Sequence, residues 1–269
     1  MSVIVRNPHS ILAAIQTRPR DIFEIFLPPR AKSEDAWKSI IEEAHRAGVK
    51  IAAYLDSGGA KMRDEHRRER NERHEQKRAE GLRSGAGEAR IKERDAVALE
   101  ELFKDAKDRA GGHGLWLALD TVQDPHNVGA IFRTAAFFGV QGVVITQDRS
   151  APLGSAAYDA ASGGIEHVSY TMQVNLVRAL EHAKEAGVWV LGASEHAKES
   201  HTAIKPDRPW LLVLGNEEDG MRRLTAENCD QLCSIKPAGD GVTSLNVSAA
   251  AAVMISRLAG PDLDCAQNM

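Results

Sequence analysis

The sequence predicts an α/β fold, with a C-terminal domain built on a mostly parallel sheet and a small N-terminal α/β domain before it. From residue 115 onward, apolar runs of strand length alternate with helical stretches. Such alternation is typical of a parallel sheet that helices cover on both faces. The first sixty residues alternate in the same way on a smaller scale, and a charged segment separates the two regions.

The N-terminal domain is predicted over residues 1–60. Its predicted elements are a helix around 11–15, a strand over 22–27, a helix over 34–47 and a strand over 49–55. Gly48 lies between the second helix and the second strand, at the position where a helix C-terminus favours glycine. These elements form a small unit of their own.

A charged linker or helix is predicted over residues 61–112, and its first twenty residues contain almost no apolar side chain. One interpretation is a solvated segment stabilised by salt bridges. The other is that its basic residues contact RNA phosphates. Those residues are Arg63, Arg67, Arg68, Arg70, Arg73, Lys77 and Arg78. The two interpretations are compatible.

The C-terminal domain is predicted over residues 113–269. Its apolar strands are predicted at 115–119, 142–146, 188–191, 210–214 and 232–235, with a helix over 176–186. A final helix has an apolar face that runs from Val247 to Leu258. In parallel sheets of this kind, ligands bind beyond the carboxyl ends of the strands, so the functional residues are sought there.

Composition excludes several classes of protein. A net charge of −4 argues against binding nucleic acid through bulk basicity, so any RNA contact is expected from local clusters. Three unpaired cysteines, the absence of a signal peptide pattern and the absence of a long apolar run indicate a soluble, cytoplasmic protein. The ten histidines lack the spacing of a metal site, so no metal is expected.

The first segment that carries chemistry is 120–136, directly after a predicted strand. Pro125 prevents the strand from continuing, and Gly129 permits a close approach of another element. Asn127 is predicted to lie in the loop that enters the helix, where asparagine is a favourable cap. Arg133 is the other polar candidate, although a capped helix with a surface arginine explains the same pattern.

Two further segments follow predicted strands. The turn 214–221 carries three successive acidic residues, which disfavour a phosphate and suit a ligand with hydroxyls or a positive charge, such as a sulfonium. The loop 235–248 presents Ser244 and Asn246 where it meets the final helix. Taken alone, the first is also an ordinary exposed turn and the second an ordinary helix cap.

Together the three segments resemble the SpoU/TrmH family of RNA ribose 2′-O-methyltransferases. The matching motifs are Asn-x-Gly-x-x-x-Arg at 127–133, Gly-Asn-Glu-x-x-Gly at 215–220 and Ser-Leu-Asn-Val-Ser at 244–248. Ala161-Ser162-Gly163-Gly164 resembles a lesser signature of the family. The resemblance covers about Leu115 to Leu258, and the N-terminal residues resemble the family's ribosomal-protein-like RNA-binding domain.

The resemblance implies S-adenosylmethionine as the cofactor, a deep trefoil knot in the C-terminal domain, and a homodimer. The implied cofactor-binding residues are Leu214, Gly215, Ile235, Ser244 and Leu245. The implied catalytic residues are Arg133, Asn127, Glu217, Ser244 and Asn246. The implied substrate is a ribose 2′-hydroxyl in structured RNA, with ribosomal RNA favoured over transfer RNA.

Two questions stay open at this point. A guanidinium stays protonated in water, so we expect Arg133 to hold a phosphate and orient the hydroxyl, with proton abstraction as the variant. The alternative function is a non-catalytic RNA-binding or ribosome-assembly module with the same fold. A dinucleotide-dependent oxidoreductase is excluded because no strand is followed by Gly-x-Gly-x-x-Gly.

Overall fold

The structure, a computed structural model, describes residues 1–28, 31, 34–53, 87–239, 241–242 and 244–259. The chain divides into two compact units, Met1–Lys92 and Glu93–Met269. Within the described residues, no helix has the length and apolar character needed to cross a membrane.

The N-terminal unit contains a four-stranded sheet in the order β1-β4-β2-β3. The strands are β1 (Ser2–Val5), β2 (Ile22–Leu27), β3 (Ile51–Ala53) and β4 (Glu88–Lys92). Helices α1 (Pro8–Thr17) and α2 (Asp35–Ala47) pack against each other. Gly48 adopts a left-handed conformation with φ 70° at the end of α2, which confirms the predicted helix stop.

Strand β4 extends this unit beyond the predicted boundary at residue 60. It pairs antiparallel with both β1 and β2, so residues that were predicted as part of the 61–112 linker complete the N-terminal sheet. Only Ala89 and Ile91 of this strand are buried, and two apolar positions in a run of five residues are too few to predict a strand. The charged residues 61–80 lie outside the described part of the chain.

The C-terminal unit confirms the predicted mostly parallel sheet. Seven strands lie in the order β7-β6-β5-β10-β8-β11-β9, and all neighbouring pairs are parallel. The strands are β5 (Leu115–Leu119), β6 (Gly142–Thr146), β7 (Tyr170–Gln173), β8 (Trp189–Ala193), β9 (Glu199–Ser200), β10 (Trp210–Leu214) and β11 (Gln231–Ser234). The helices are α3 (Leu99–Leu102), α4 (Pro125–Phe137), α5 (Ser155–Ala161), α6 (Gly164–His167), α7 (Leu176–Glu185), α8 (Arg223–Glu227) and α9 (Val247–Leu258).

Alternating side chains of the central strands divide the C-terminal core between the two faces of the sheet. Trp116, Ala118 and Val213 belong to a buried cluster with Ala179 and Leu180 of helix α7. The intervening strand residues point to the opposite face, because successive side chains of a strand alternate. Every residue of β5, β6 and β10 is buried, which matches the uninterrupted apolar runs that predicted these strands.

Helix α4 approaches α5 and α6 closely because glycine lies at both contacts. A Cβ atom on Gly129 would lie 2.5 Å from the carbonyl oxygen of Ala157 and 2.6 Å from the Cβ of Ala160. A Cβ atom on Gly164 would lie 2.5 Å from the carbonyl oxygen of Phe132. Both obstacles are backbone or rigid atoms, so the helices have no room for a larger residue at either contact.

We expect Gly129→Ala to lower the free energy of unfolding by about 1–3 kcal/mol, because the added methyl group forces α4 and α5 apart. Gly154→Ser is the matched control, since a Cβ at Gly154 meets nothing within 4 Å and serine is a favourable N-cap residue. Urea unfolding followed by tryptophan fluorescence measures the change. Equal stability of the two variants would show that the helix contact tolerates a side chain.

Candidate active site

Strands β5 and β10 are adjacent and parallel, and they end in register. Leu119 is paired with Leu214, and the backbone N–H of Asp120 donates to the carbonyl oxygen of Leu214 at 2.8 Å. The first and second motifs follow these two strands. Their loops therefore leave the sheet side by side, at the edge where ligands are expected.

Asp120 joins the two loops through an ion pair. Its side chain is fully buried, and Oδ1 accepts from Nε of Arg222 at 2.7 Å. Oδ2 accepts from the backbone N–H of Arg222 at 3.0 Å. A buried carboxylate is costly without a partner, so this pair fixes the position at which the second loop returns from its turn. Neither residue was among the predicted site residues.

The turn after β10 is held closed by backbone and side-chain hydrogen bonds. Asn216 and Gly220 exchange backbone hydrogen bonds of 3.0 Å, and a Cβ on Gly215 would lie 2.2 Å from the carbonyl carbon of Gly220. Asn216 Nδ2 also donates to the carbonyl oxygen of Thr121 at 2.8 Å. The acidic side chain of Glu217 is therefore exposed at the tip of a rigid turn.

Asn127 lies inside helix α4, so its predicted place in the entering loop is wrong. Asp124 is the N-cap, and its side chain accepts from the backbone N–H of His126 at 2.9 Å. Pro125 begins the helix, where the missing N–H is no loss. Asn127 is thus on the first turn of α4, and it is buried.

A chain of hydrogen bonds joins one residue from each of the three motifs. Asn127 Nδ2 donates to Glu217 Oε1 at 2.6 Å, and Asn127 Oδ1 accepts from Asn246 Nδ2 at 3.0 Å. Asn246 is also the N-cap of α9, where its Oδ1 accepts from the backbone N–H of Ser248 at 2.9 Å. The amide of Asn127 therefore joins the second motif to the third.

Arg133 lies outside this hydrogen-bonded chain. It is exposed on α4, more than one turn beyond Asn127 and on another side of the helix. A Cβ on Gly164 would lie 2.8 Å from the Cα of Arg133, so the lesser signature at 161–164 packs against the backbone beneath it. Ser162 has a φ of 47°, in the left-handed region. The backbone of α4 at Arg133 is thus packed against a neighbouring helix, while the side chain of Arg133 faces solvent.

The predicted cofactor residues lie on the same loops. Leu214 is buried at the end of β10, and Gly215 begins the turn described above. Ile235 is partly buried directly after β11, while Ser244 and Leu245 are exposed just before α9. Acidic side chains at the turn suit a positively charged ligand, and the exposed loop before α9 offers a hydroxyl and backbone groups. These residues therefore fit a sulfonium compound better than a phosphate.

The two thiols of the described residues are poorly suited to act as nucleophiles. Burial raises the pKa of Cys229 to about 12, and burial likewise raises the pKa of Cys233 to about 12. A thiol reacts as the thiolate, which such values make scarce near neutral pH. The described residues also form no group of three or more His, Cys, Asp or Glu side chains arranged to hold a metal ion.

Comparison with known proteins places this geometry in context. The family model described as SpoU rRNA Methylase family matches residues 114–256. The 23S rRNA (guanosine-2′-O-)-methyltransferase RlmB of Bordetella pertussis is 35% identical over 250 residues, which cover 92% of each chain. The enzyme of the same name from Yersinia pestis is 34% identical over 263 residues, or 95% of this chain and 96% of its own.

Solved structures share the fold. The SpoU methyltransferase AviRb from Streptomyces viridochromogenes has a TM-score of 0.72 at 18% identity, covering 98% of this chain and 91% of its own. The same protein in complex with AdoMet has a TM-score of 0.66 at 17% identity, covering 96% and 89%. At these sequence identities, the structural similarity shows a shared fold.

We expect Asn127→Asp to lower the free energy of unfolding by about 1–3 kcal/mol, because a carboxylate oxygen then replaces the amide donor that faces Glu217. When Glu217→Gln is added, the new glutamine amide can donate to the carboxylate at position 127. This double variant is expected to recover much of the lost stability. Urea unfolding measures each variant. Glu218→Gln is the matched control, since Glu218 is exposed on the same turn. Equal recovery by both second changes would contradict a specific contact between 127 and 217.

Proposed function

The chain belongs to the SpoU rRNA Methylase family, and on that premise we propose that it methylates a ribose 2′-hydroxyl of ribosomal RNA with S-adenosylmethionine as the donor. The observation that carries this function is the hydrogen-bonded joining of the three motifs through Glu217, Asn127 and Asn246 at one edge of the sheet. Relatives that align over almost the whole chain are named as 23S rRNA guanosine 2′-O-methyltransferases. A guanosine of 23S rRNA is therefore the substrate that we propose, and a cytoplasmic location is consistent with it.

The donor site that we propose is formed by the loop after β10 and by the two ends of the segment that joins β11 to α9. Its residues are Leu214, Gly215, Ile235, Ser244 and Leu245. When bound there, S-adenosylmethionine supplies a methyl group activated by a positively charged sulfur. The exposed carboxylates at the tip of the turn favour that charge, and the closed turn presents backbone groups in fixed positions.

The protein's contribution to methyl transfer is mainly alignment. The attacking hydroxyl must lie in line with the methyl carbon and the leaving sulfur, and holding that geometry lowers the barrier by several kcal/mol. Glu217, Asn127 and Asn246 hold the loops together on the donor side. Ser244 is exposed beside them and is placed to shape the site from the loop before α9.

Arg133 serves the acceptor side in this proposal. A guanidinium remains protonated in proteins and presents a planar fork of N–H donors, which matches a phosphate. The exposed position of Arg133 lets it bind the phosphate of the target nucleotide and orient the 2′-hydroxyl. The guanidinium has no free lone pair to accept the hydroxyl proton, which leaves to solvent water, so Arg133 is a positioning group rather than a base.

We also propose that the functional molecule is a homodimer. Phe137, which is 79% exposed, lies one turn beyond Arg133 on α4. Val253 on the neighbouring helix α9 is also exposed, and these two helices pack against each other. Leu245 and Val242 add exposed apolar surface before α9. A second copy of the chain is the occupant we propose, because it would cover these residues beside Arg133 and complete the acceptor side.

The trefoil knot belongs to the same proposal. After β10 the chain forms β11, which lies on the far side of β8, before α9 begins at Val247. Asn246 at the start of α9 contacts Asn127, and α9 packs on α4 and on β10. A threaded path of this kind would keep the donor loops together even when no ligand is bound.

We expect Arg133→Ala to lower kcat for RNA methylation by about 100- to 1,000-fold, because the charge that orients the acceptor is lost. Binding of S-adenosylmethionine, measured by calorimetry, is expected to stay unchanged. Arg133→Lys retains the charge without the fork and is expected to be intermediate. Lys205→Gln, an exposed change elsewhere, is the control. Full activity of Arg133→Ala would refute the assigned role.

We expect Phe137→Asp to shift the protein from dimer to monomer in sedimentation velocity, because a carboxylate would replace a large apolar side chain in the interface. Activity is expected to fall with dissociation. Phe23→Asp is the control, since Phe23 is an exposed phenylalanine of the N-terminal sheet. A wild-type protein that sediments as a monomer at micromolar concentration would contradict the homodimer.

A further inference from the structure

A surface groove lies on the side of the C-terminal sheet that carries α7, and the site described above does not account for it. The groove has a volume of about 440 Å³, within the range of small-ligand sites. One wall is the segment 174–177, which follows β7 and begins α7, and the other wall is the segment 222–225, which leads into α8. We propose that this groove binds a nucleotide of the substrate RNA adjacent to the target, with its phosphate on Arg222 and Arg223; this inference rests on the proposed function.

Arg222 is held in the wall of the groove by a contact that uses only part of its side chain. Nε and the backbone N–H are bonded to the buried carboxylate of Asp120. The side chain is nevertheless 46% exposed, and within the described residues Nη1 and Nη2 have no further partner. Asp120 thus fixes the guanidinium in one orientation while leaving two nitrogens available to a phosphate.

Arg223 adds a second positive charge on the same wall. Its Nη1 lies 2.7 Å from Glu227 Oε1, and the arginine side chain is 78% exposed. An exposed ion pair one helical turn apart contributes little to stability, so Arg223 can exchange this partner for a phosphate at small cost. Two arginines on a short wall attract the negatively charged RNA backbone, whereas a neutral ligand would gain nothing from their charge.

Apart from Asn175 and Thr225, the remainder of the groove is apolar. Val174 and Leu224 face solvent, at 64% and 56% exposure, and the partly buried Val177 also lines the groove. Apolar surface next to arginine is suited to the ribose and base faces of an unpaired nucleotide, because single-stranded RNA is recognised largely by stacking and apolar contact. A metabolite with several charged groups would leave this surface unused.

The groove is linked to the turn of the proposed active site through Asp120 and Arg222. Arg222 follows the turn 215–220 closely, and Asp120, which holds it, directly precedes Thr121, whose carbonyl oxygen accepts from Asn216. A nucleotide in the groove would therefore lie beside the loop that carries Glu217. This arrangement allows one RNA strand to occupy the groove and the acceptor side together.

The test compares full-length variants in equilibrium binding to an unmethylated 23S rRNA transcript over a range of salt concentrations. Arg223→Gln is expected to weaken binding about 10-fold and to reduce the slope of log affinity against log salt by about one. Leu224→Glu, which puts a carboxylate in the groove, is expected to raise the KM for RNA without changing the KM for S-adenosylmethionine. Arg222→Lys is expected to weaken RNA binding as well, with thermal unfolding showing that the fold is intact.

Lys205→Gln is the matched control, because it removes one exposed positive charge outside the groove. Salt slopes of Arg223→Gln and Lys205→Gln that agree with each other would overturn the groove proposal. An effect of Leu224→Glu on the KM for S-adenosylmethionine, with an unchanged KM for RNA, would overturn it too. A wild-type protein that binds the transcript but transfers no methyl group would refute the proposed function instead, and the salt slopes would still decide the groove.

Discussion

The parallel pairing of β5 with β10 is the constraint on which the rest of the C-terminal unit depends. Because both strands end at the same level, the loops that follow them begin side by side. Asp120 continues the pairing by one hydrogen bond and then binds Arg222 at the end of the other loop. A shift of one residue in this register would turn Asp120 to the opposite face of the sheet and separate the loops.

The site is built from polar groups that a purely structural core would avoid. A buried carboxylate and a buried amide each need partners, and a missing partner costs more than an ordinary surface contact. Asp120 finds its partner in Arg222, and Asn127 finds partners on both sides. These contacts stabilise the molecule only in the arrangement that brings the three motifs together. They therefore select that arrangement over others of similar hydrophobic burial.

The sequence predicted the strands whose apolar runs are unbroken and missed those whose pattern is short or mixed. Strands β5, β6 and β10 match their predicted bounds because both faces are buried. Strand β4 carries only two apolar residues between charges, and β7 is a short edge strand of mixed composition, so periodicity alone did not separate them from loops. Asn127 was misplaced because Asp124, one residue before the proline, is an equally good cap and lies at the helix start.

The ion pair between Asp120 and Arg222 could not be predicted from the sequence, for a different reason. The two residues are 102 positions apart, and an acid after a strand or a second arginine before a helix is common in any protein. Only the register of β5 and β10 makes them neighbours.

The hydrogen-bonded donor side and the exposed Arg133 differ in a way that suits the roles proposed for them, which are holding the methyl donor and binding the RNA. The donor side is rigid before any ligand arrives, which avoids reorganisation during transfer. The acceptor side that we propose is exposed, which leaves Arg133 accessible to an RNA phosphate. In that proposal a second copy of the chain covers the apolar residues beside it.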